Sequence, residues 1–376
     1  MKLVRWIVLA LLVLVVVAVG GIWSYRAFWH HRLTREWQIT TPNGIDIAHF
    51  IKVNGRDEWF TVRGDDRRNP AILFLHGGPS EATSPFVGLF RPFEKDFVFA
   101  QWDQPGAGLT YIRAGKNQPK LTLDGIADDG IVVAERVRRI SRRPKIILIG
   151  QDWGGLVGLR MIQKRPDLFQ AFVGTGQVVS WLGEQEPQYQ YTRSRAEAAR
   201  DRKTLDGLNK IGPPPYPSLE SYRRFGKYFE PYKPLQDREA EQTLRVALFR
   251  SPRLTFRQIF GWIKALRTGE AELTPVMASI DLRKEPSQFS VPIFFIQGGD
   301  DIITPTSLVS QYLGVVQAPA KRVDAVPGAA HMVMWQHPAQ FIALLQQDLQ
   351  SAPAPPAAEP PGGGHATSTG SKGASR

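Results

Sequence analysis

Residues 145–162 constrain the fold more than any other stretch. Lys145-Ile146-Ile147-Leu148-Ile149 is an apolar run of strand length, and Leu156-Val157-Gly158-Leu159-Arg160-Met161-Ile162 can continue as a helix. Between them stand Gly150-Gln151-Asp152-Trp153-Gly154-Gly155. Small residues on both sides of Asp152 permit a strained turn that lifts one side chain to the top of a sheet. Two readings of Asp152 stay open on this stretch alone. It is a reacting group presented by the turn, or an N-cap that accepts hydrogen bonds from the first helical turn.

The pattern of an apolar run ending in a glycine-rich turn recurs. Ala71-Ile72-Leu73-Phe74-Leu75 ends in His76-Gly77-Gly78-Pro79, and Phe97-Val98-Phe99-Ala100-Gln101-Trp102 ends in Asp103-Gln104-Pro105-Gly106-Ala107-Gly108. Upstream, two β-rich runs flank Asn54-Gly55, which suits both central positions of a type I′ turn and predicts a hairpin over about 46–64. Helical spacing over 124–141 completes the order strand, loop, helix, strand, turn, helix. That order predicts an α/β fold with a mostly parallel sheet, whose functional loops lie at the carboxyl ends of the strands. After Ala171-Phe172-Val173-Gly174 the chain turns rich in Arg, Tyr, Gln and Pro. Residues 178–290, with helical stretches near 187–209, 234–250 and 254–267 and the break Gly212-Pro213-Pro214-Pro215-Tyr216-Pro217, predict a helical cap. The sheet resumes at 291–297 and 321–326 and closes with a helix around 338–350. The core is thus expected over 31–177 and 291–350. Residues 351–376 are Pro, Ala, Gly and Ser and predict disorder.

Residues 6–23 carry no charge and have the length of a membrane-spanning helix, with Trp6, Trp23, Tyr25 and Trp29 where interfacial aromatics belong. No Ala-x-Ala cleavage site follows, so residues 1–30 are expected to be an uncleaved anchor and the membrane a partner. Lys2 and Arg5 precede the run; Arg26, Arg32 and Arg35 follow it. The expected arrangement is a short cytoplasmic N-terminus with the catalytic part outside. The chain has no Cys, which excludes disulfides, thiolate zinc sites and Cys nucleophiles. A net charge of +12 comes without any nucleic-acid-binding motif, so an anionic membrane surface is the expected counterpart and nucleic acid is not. A small-molecule substrate is expected, with no cofactor and no metal.

Two further strand ends bring chemistry. Gly298-Gly299-Asp300-Asp301-Ile302-Ile303-Thr304-Pro305 follows one predicted strand, and Gly328-Ala329-Ala330-His331 follows the next. With Asp152 they give the order nucleophile, acid, base along one sheet edge. In this the sequence resembles the α/β-hydrolase superfamily from about residue 46 to 350. The resemblance implies Asp152 as nucleophile, Asp301 as acid, His331 as base, and the amides of Gly78 and Trp153 as the oxyanion hole. It gives His76 a structural part in shaping the loop.

Within the superfamily the resemblance divides. His76-Gly77-Gly78-Pro79, Trp102-Asp103-Gln104-Pro105-Gly106-Ala107-Gly108 and the Pro-rich cap break look like prolyl-iminopeptidase-like members, which use Ser. The elbow Gly-Gln-Asp-Trp-Gly-Gly resembles epoxide hydrolases and haloalkane dehalogenases instead. An Asp with an ordinary pKa of about 3.9 is already an anion at neutral pH and suits displacement at a saturated carbon, giving an alkyl-enzyme ester. His331 could then direct water onto that ester, with each oxyanion donor worth about 3–4 kcal/mol. Attack by Asp on a peptide would give an anhydride and expel an amine, which is strongly uphill. An epoxide needs an acid for its leaving alkoxide, and Tyr189, Tyr191, Tyr216, Tyr222, Tyr228 and Tyr232 are the cap candidates, most of them expected to be packing residues. Halide release would need donors such as Trp153. In the peptidase-like reading, Glu184 and Glu186 are the cap carboxylates available to a substrate amine; the preferred reading of both is a solvated helix start. An epoxide or related electrophile is the preferred substrate; an ester, amide or aminopeptide hydrolase and a non-catalytic binding protein are the alternatives.

Overall fold

The computed structural model describes residues 1–285 and 287–352; most of the tail where disorder is predicted lies outside them. The chain opens with helix α1 (Lys2–Glu36), which is long and apolar enough to cross a membrane and extends beyond the expected end at residue 30. The hairpin β1 (Ile45–Val53) and β2 (Arg56–Gly64) turns on Asn54-Gly55, both at positive φ. There follow β3 (Ala71–Leu75), α2 (Arg91–Glu94), β4 (Val98–Trp102), α3 (Gly108–Ala114), α4 (Leu123–Ser141), β5 (Ile146–Gln151), α5 (Trp153–Lys164) and β6 (Phe169–Thr175).

Between β6 and the next strand the chain folds as helices α6 (Gln185–Ala198), α7 (Arg202–Ile211), α8 (Leu219–Phe229), α9 (Leu235–Arg250) and α10 (Phe256–Ala278). Sequence reasoning did not find α8. Its inward residues, Tyr222, Phe225 and Phe229, are aromatics thinly spaced among charges, and they pack with Tyr189 and Tyr216 into the cap's own core. A Ser218/Ser221 capping box starts the helix. The chain then returns through β7 (Ile293–Gly298), α11 (Thr306–Val315), β8 (Lys321–Val326), α12 (Val333–Gln336) and α13 (Pro338–Ser351).

The strands form one sheet in the order β1-β2-β4-β3-β5-β6-β7-β8, antiparallel through β1, β2 and β4 and parallel from β4 to β8. Helices cover both faces, which is why β3, β4, β5 and β7 are apolar runs buried on both sides rather than alternating strands. One face packs under α4 and α5, around Leu73, Val133, Leu148 and Val157. The other packs under α2 and α13, around Phe74, Phe93, Phe99 and Phe341. The loops after β3, β5, β7 and β8 consequently emerge on one edge beneath the cap.

The turn after β5 is tight enough to dictate its glycines. Asp152 sits at φ 50°, ψ −118°, a strained conformation for a residue with a side chain. A Cβ on Gly154 would collide with the carbonyl of Leu75 in β3, so helix and strand meet there only because that residue has no side chain. Gly154→Ala is therefore expected to lower the unfolding free energy by at least about 2 kcal/mol in denaturant titration. Gly226→Ala, on an open face of α8 with nothing within 4 Å, is expected to raise it by about 0.5–1 kcal/mol.

Candidate active site

The four strand-end loops converge. The Gly78 amide, after β3, donates to Asp152 Oδ2 at 3.0 Å. His331 Nδ1, after β8, lies 3.1 Å from Asp301 Oδ2, after β7. Asp301 is fixed in place, since its Oδ1 accepts from the amides of Ile303 (2.8 Å) and Thr304 (2.9 Å) and its Oδ2 from the Thr304 hydroxyl (2.7 Å). The same hydroxyl stands 3.1 Å from His331 Nδ1. Asp300 is exposed and takes no part. Of the residues expected at the site, Gly78, Asp152, Trp153, Asp301 and His331 are all here. Thr304 was missed, because a Thr three residues after an acid carries no motif of its own.

Charge in this site is finely placed. Burial pushes the Asp152 carboxyl up to about 6, against the pull of His331 and the amides of Gly78 and Trp153, with Asp301 adding to the rise. His331 is pushed up to about 10: burial opposes its charge, but Asp301, Asp152 and Asp237 together outweigh that. Asp237 comes from α9 of the cap. It accepts from the Met332 amide (3.3 Å) and from Gln336 Nε2 (3.0 Å), and so ties the cap to the loop that carries His331.

The support beneath Asp152 explains the Trp102–Gly108 motif. Gln104 accepts from Trp153 Nε1 (3.1 Å), donates its own amide to His76 Nε2 (3.2 Å), and bonds the His76 carbonyl through its side chain (3.0 Å). His76 is buried and pushed down to about 4, so it stays neutral and acts as an acceptor in this bracket. Asp103 beside it takes the Ser84 hydroxyl (2.7 Å) and the Leu109 amide (2.8 Å).

Above Asp152 opens a cleft of ≈ 430 Å³. Phe86, Leu244, Leu248, Trp262, Leu266 and Met332 make it apolar, and Gly78, Asp152 and His331 form its floor. Glu81 faces it too, its carboxyl pushed up to about 7 by burial and then by the Asp152 charge. Sequence reasoning missed Glu81, as nothing in a lone Glu after an oxyanion-type loop marks it. A larger cavity, ≈ 550 Å³, lies between the Pro214-Pro215 loop and residues 278–285, away from all these groups.

Several expectations need correction. No cap tyrosine lines the cleft: Tyr189 and Tyr216 are in the cap core, Tyr232 bonds Asp201 (2.9 Å), and Tyr222 bonds Gln188 (3.0 Å). The Trp153 indole cannot serve a halide, because its N–H is spent on Gln104. Glu184 is buried and accepts from the amides of Val179 (2.8 Å) and Ser180 (3.3 Å), while Glu186 is exposed beside the other cavity. The cap carboxylates that do face the cleft are Glu230 and Glu241, and Lys233 bridges both at 2.8 and 3.0 Å.

A family model for the alpha/beta hydrolase family matches residues 72–344. The chain belongs to that family. Relatives of this α/β-hydrolase include the probable aminopeptidase YbaC of Bacillus subtilis, 27% identical and covering 82% of this chain and 98% of its own. The proline iminopeptidase of Lactobacillus helveticus is 23% identical, over 78% of this chain and 94% of its own. Among solved structures, a bacterial membrane phospholipase A superposes with a TM-score of 0.56 at 15% identity, over 92% of this chain and 98% of its own. A laboratory-evolved variant of potato epoxide hydrolase does so at 0.52 and 18% identity, over 81% of this chain and 99% of its own. These two share the fold.

Asp152 holds its proton to about 6 where an ordinary Asp releases it at 3.8. A raised acid weakens the folded state as pH climbs through that interval, and above it the deficit stays constant at roughly 2–3 kcal/mol. Asp152→Asn removes the ionisation. It should raise the unfolding free energy by about that amount near pH 8, with the gain fading as pH falls toward about 4. Denaturant titration at the two pH values checks this, and equal gains at both would contradict it.

Proposed function

We propose that this α/β-hydrolase opens epoxides, or closely related strained electrophiles, through an ester on Asp152. One observation carries the reading: Asp152 Oδ2 already occupies the oxyanion hole, on the Gly78 amide. A Ser enzyme keeps that hole for the carbonyl of its substrate. With an Asp in it, no donors are left for the oxyanion of a peptide or ester, whereas the ester formed on Asp152 has its own carbonyl oxygen seated for attack.

Asp152 Oδ1 attacks an epoxide carbon, the carbon–oxygen bond breaks, and the alkoxide takes the proton of Glu81. The product is a hydroxyalkyl ester of Asp152. Esterification removes one of the charges that hold His331 protonated, so the imidazolium releases its proton to solvent and becomes a base. His331, held by Asp301, then takes a proton from water as the oxygen adds to the Asp152 carbonyl carbon. The amides of Gly78 and Trp153 carry the resulting oxyanion. Collapse expels the diol, which takes the proton from His331; the proton left on Asp152 returns to Glu81, and His331, again facing the Asp152 charge, takes a proton back from solvent. The sum is epoxide plus water to vicinal diol.

Hydrolysis of an aminoacyl substrate is the second reading, favoured by the names of the curated relatives. Lys233 and Arg245 weigh against it, because these two cations together balance Glu230 and Glu241, the cap carboxylates that would hold an ammonium group: Lys233 bridges both, and Arg245 pairs with Glu241 at 3.2 Å. We place the chain in a membrane by α1, with the hydrolase part outside the cytoplasm. The flank before the apolar run bears Lys2 and Arg5; of the three arginines that follow it, Arg26 is withdrawn into contacts with protein carbonyls, which leaves Arg32 and Arg35 farther from the run.

A single turnover in heavy-oxygen water should place the label in the Asp152 carboxylate, read by mass spectrometry of its peptide. His331→Gln should accumulate the ester at that peptide, and normal steady turnover by this variant would defeat the mechanism. The rate of ester formation should be bell-shaped in pH. It rises through about 6 as Asp152 ionises and falls above about 7 as Glu81 loses its proton. Glu81→Gln should remove the upper limb and slow ester formation by about 10²–10⁴-fold.

A further inference from the structure

The helix that can cross a membrane is docked onto the wall of the cleft. Arg26 of α1 is buried and donates to the carbonyls of Phe249, Ser251 and Leu254, the turn that joins α9 to α10. Trp23 packs edge-on against Phe256 with centroids 5.2 Å apart, Arg250 lies 3.9 Å over the Trp29 ring, and Arg250 Nε donates to the Tyr25 hydroxyl at 2.6 Å. The apolar run 6–23 is about 27 Å long, close to the thickness of a bilayer's hydrocarbon core. Trp23 ends that run, so the α9–α10 turn is held at the level of the lipid headgroups.

Helix α10 has two faces. Ile259 and Trp262 are buried, and Trp262 and Leu266 line the cleft, with Trp262 Nε1 bonded to the Ala82 carbonyl at 3.0 Å. Arg257, Phe260, Lys264 and Arg267 follow one another at spacings of three and four, which places them on the opposite face. All four are exposed, Phe260 by 72%, and the three cations make no ion pair among the described residues. From 245 to 267 the chain carries Arg245, Arg250, Arg253, Arg257, Lys264 and Arg267 and no Asp or Glu. An exposed aromatic among unpaired cations, continuous with a membrane helix, is the composition of an interfacial helix.

We infer that the outer face of α10 lies on an anionic bilayer and that the substrate is an amphiphile drawn from that bilayer, its alkyl chain along the apolar α9–α10 wall and its electrophilic head at Asp152. The identity of the reacting head rests on the epoxide reading above; the seating of α10 does not.

The absence of Cys makes a direct test practical. The full chain is reconstituted in phosphatidylcholine vesicles containing phosphatidylglycerol, with an environment-sensitive dye on Phe260→Cys or, as the control, on Arg139→Cys at the amino-end side of the sheet. A spin-labelled lipid should quench the dye at 260 roughly threefold more than at 139, as an interfacial depth requires. In the same vesicles, Phe260→Glu and Lys264→Glu should each lower kcat/KM for dodecyl glycidyl ether by about tenfold and leave butyl glycidyl ether unchanged. Equal quenching at the two positions, or equal losses on the two ethers, overturns the proposal; a dye at 260 shielded by a second copy instead of lipid gives the former. If neither ether is consumed, the epoxide reading fails, and the quenching alone decides the seating of α10.

Discussion

The bond from the Gly78 amide to Asp152 Oδ2 sets what this site can do. Everything around it serves to hold that pair. The strained conformation of Asp152 aims the carboxylate back at the loop after β3, the missing side chain of Gly154 lets α5 close on Leu75, and the Gln104 bracket fixes both Trp153 and His76. Remove the contact and Asp152 becomes a buried charge with its donor gone, a state the burial of the site penalises heavily.

The second constraint is charge. One imidazole faces Asp301, Asp152 and Asp237, with Glu81 a further carboxyl beside Asp152. Such a cluster is stable at neutral pH only if protons are shared out unevenly. The values are uneven, Asp152 near 6, Glu81 near 7 and His331 near 10, and in the proposed reading they separate a nucleophile, an acid and a latent base. In the proposed cycle each chemical step moves a charge and so resets the next group's affinity for its proton.

The sheet and the strand-end loops were legible in the sequence because both have local signatures. Buried parallel strands are continuous apolar runs, and turns such as Gly150–Gly155 and Gly298–Asp301 have little freedom in composition. The resemblance to α/β-hydrolases selects Asp301 over Asp300, and the structure gives Asp301 the contact with His331. The cap was legible only as a helical region. Its contacts are long-range, so α8 went unseen, and the sequence could not tell which cap tyrosine faces the cleft; Tyr189, Tyr191, Tyr216, Tyr222 and Tyr228 are the cap's own packing, as expected of most of them. Glu81 and Asp237 were illegible for a related reason: neither sits in a motif, and their character comes from burial beside charges distant in the chain.

A body like that of Ser hydrolases carrying Asp at the elbow looks contradictory until the oxyanion hole is followed. The hole stays where it is; what changes is whose oxygen it holds. With Ser it would grip the substrate's carbonyl and thereby select acyl compounds. In the proposed reading Asp152 fills it before any substrate arrives, so the reacting group of the substrate is held by no backbone donor. Recognition must then come from the walls, and these are Phe86, Leu244, Leu248, Trp262, Leu266 and Met332, which select by apolar surface and shape. Four of these six, Leu244, Leu248, Trp262 and Leu266, belong to α9 and α10, the helices pinned to α1 through Arg26 and Trp23. In that reading the Asp at the elbow frees the site from carbonyl recognition and leaves substrate choice to the part of the cap nearest α1.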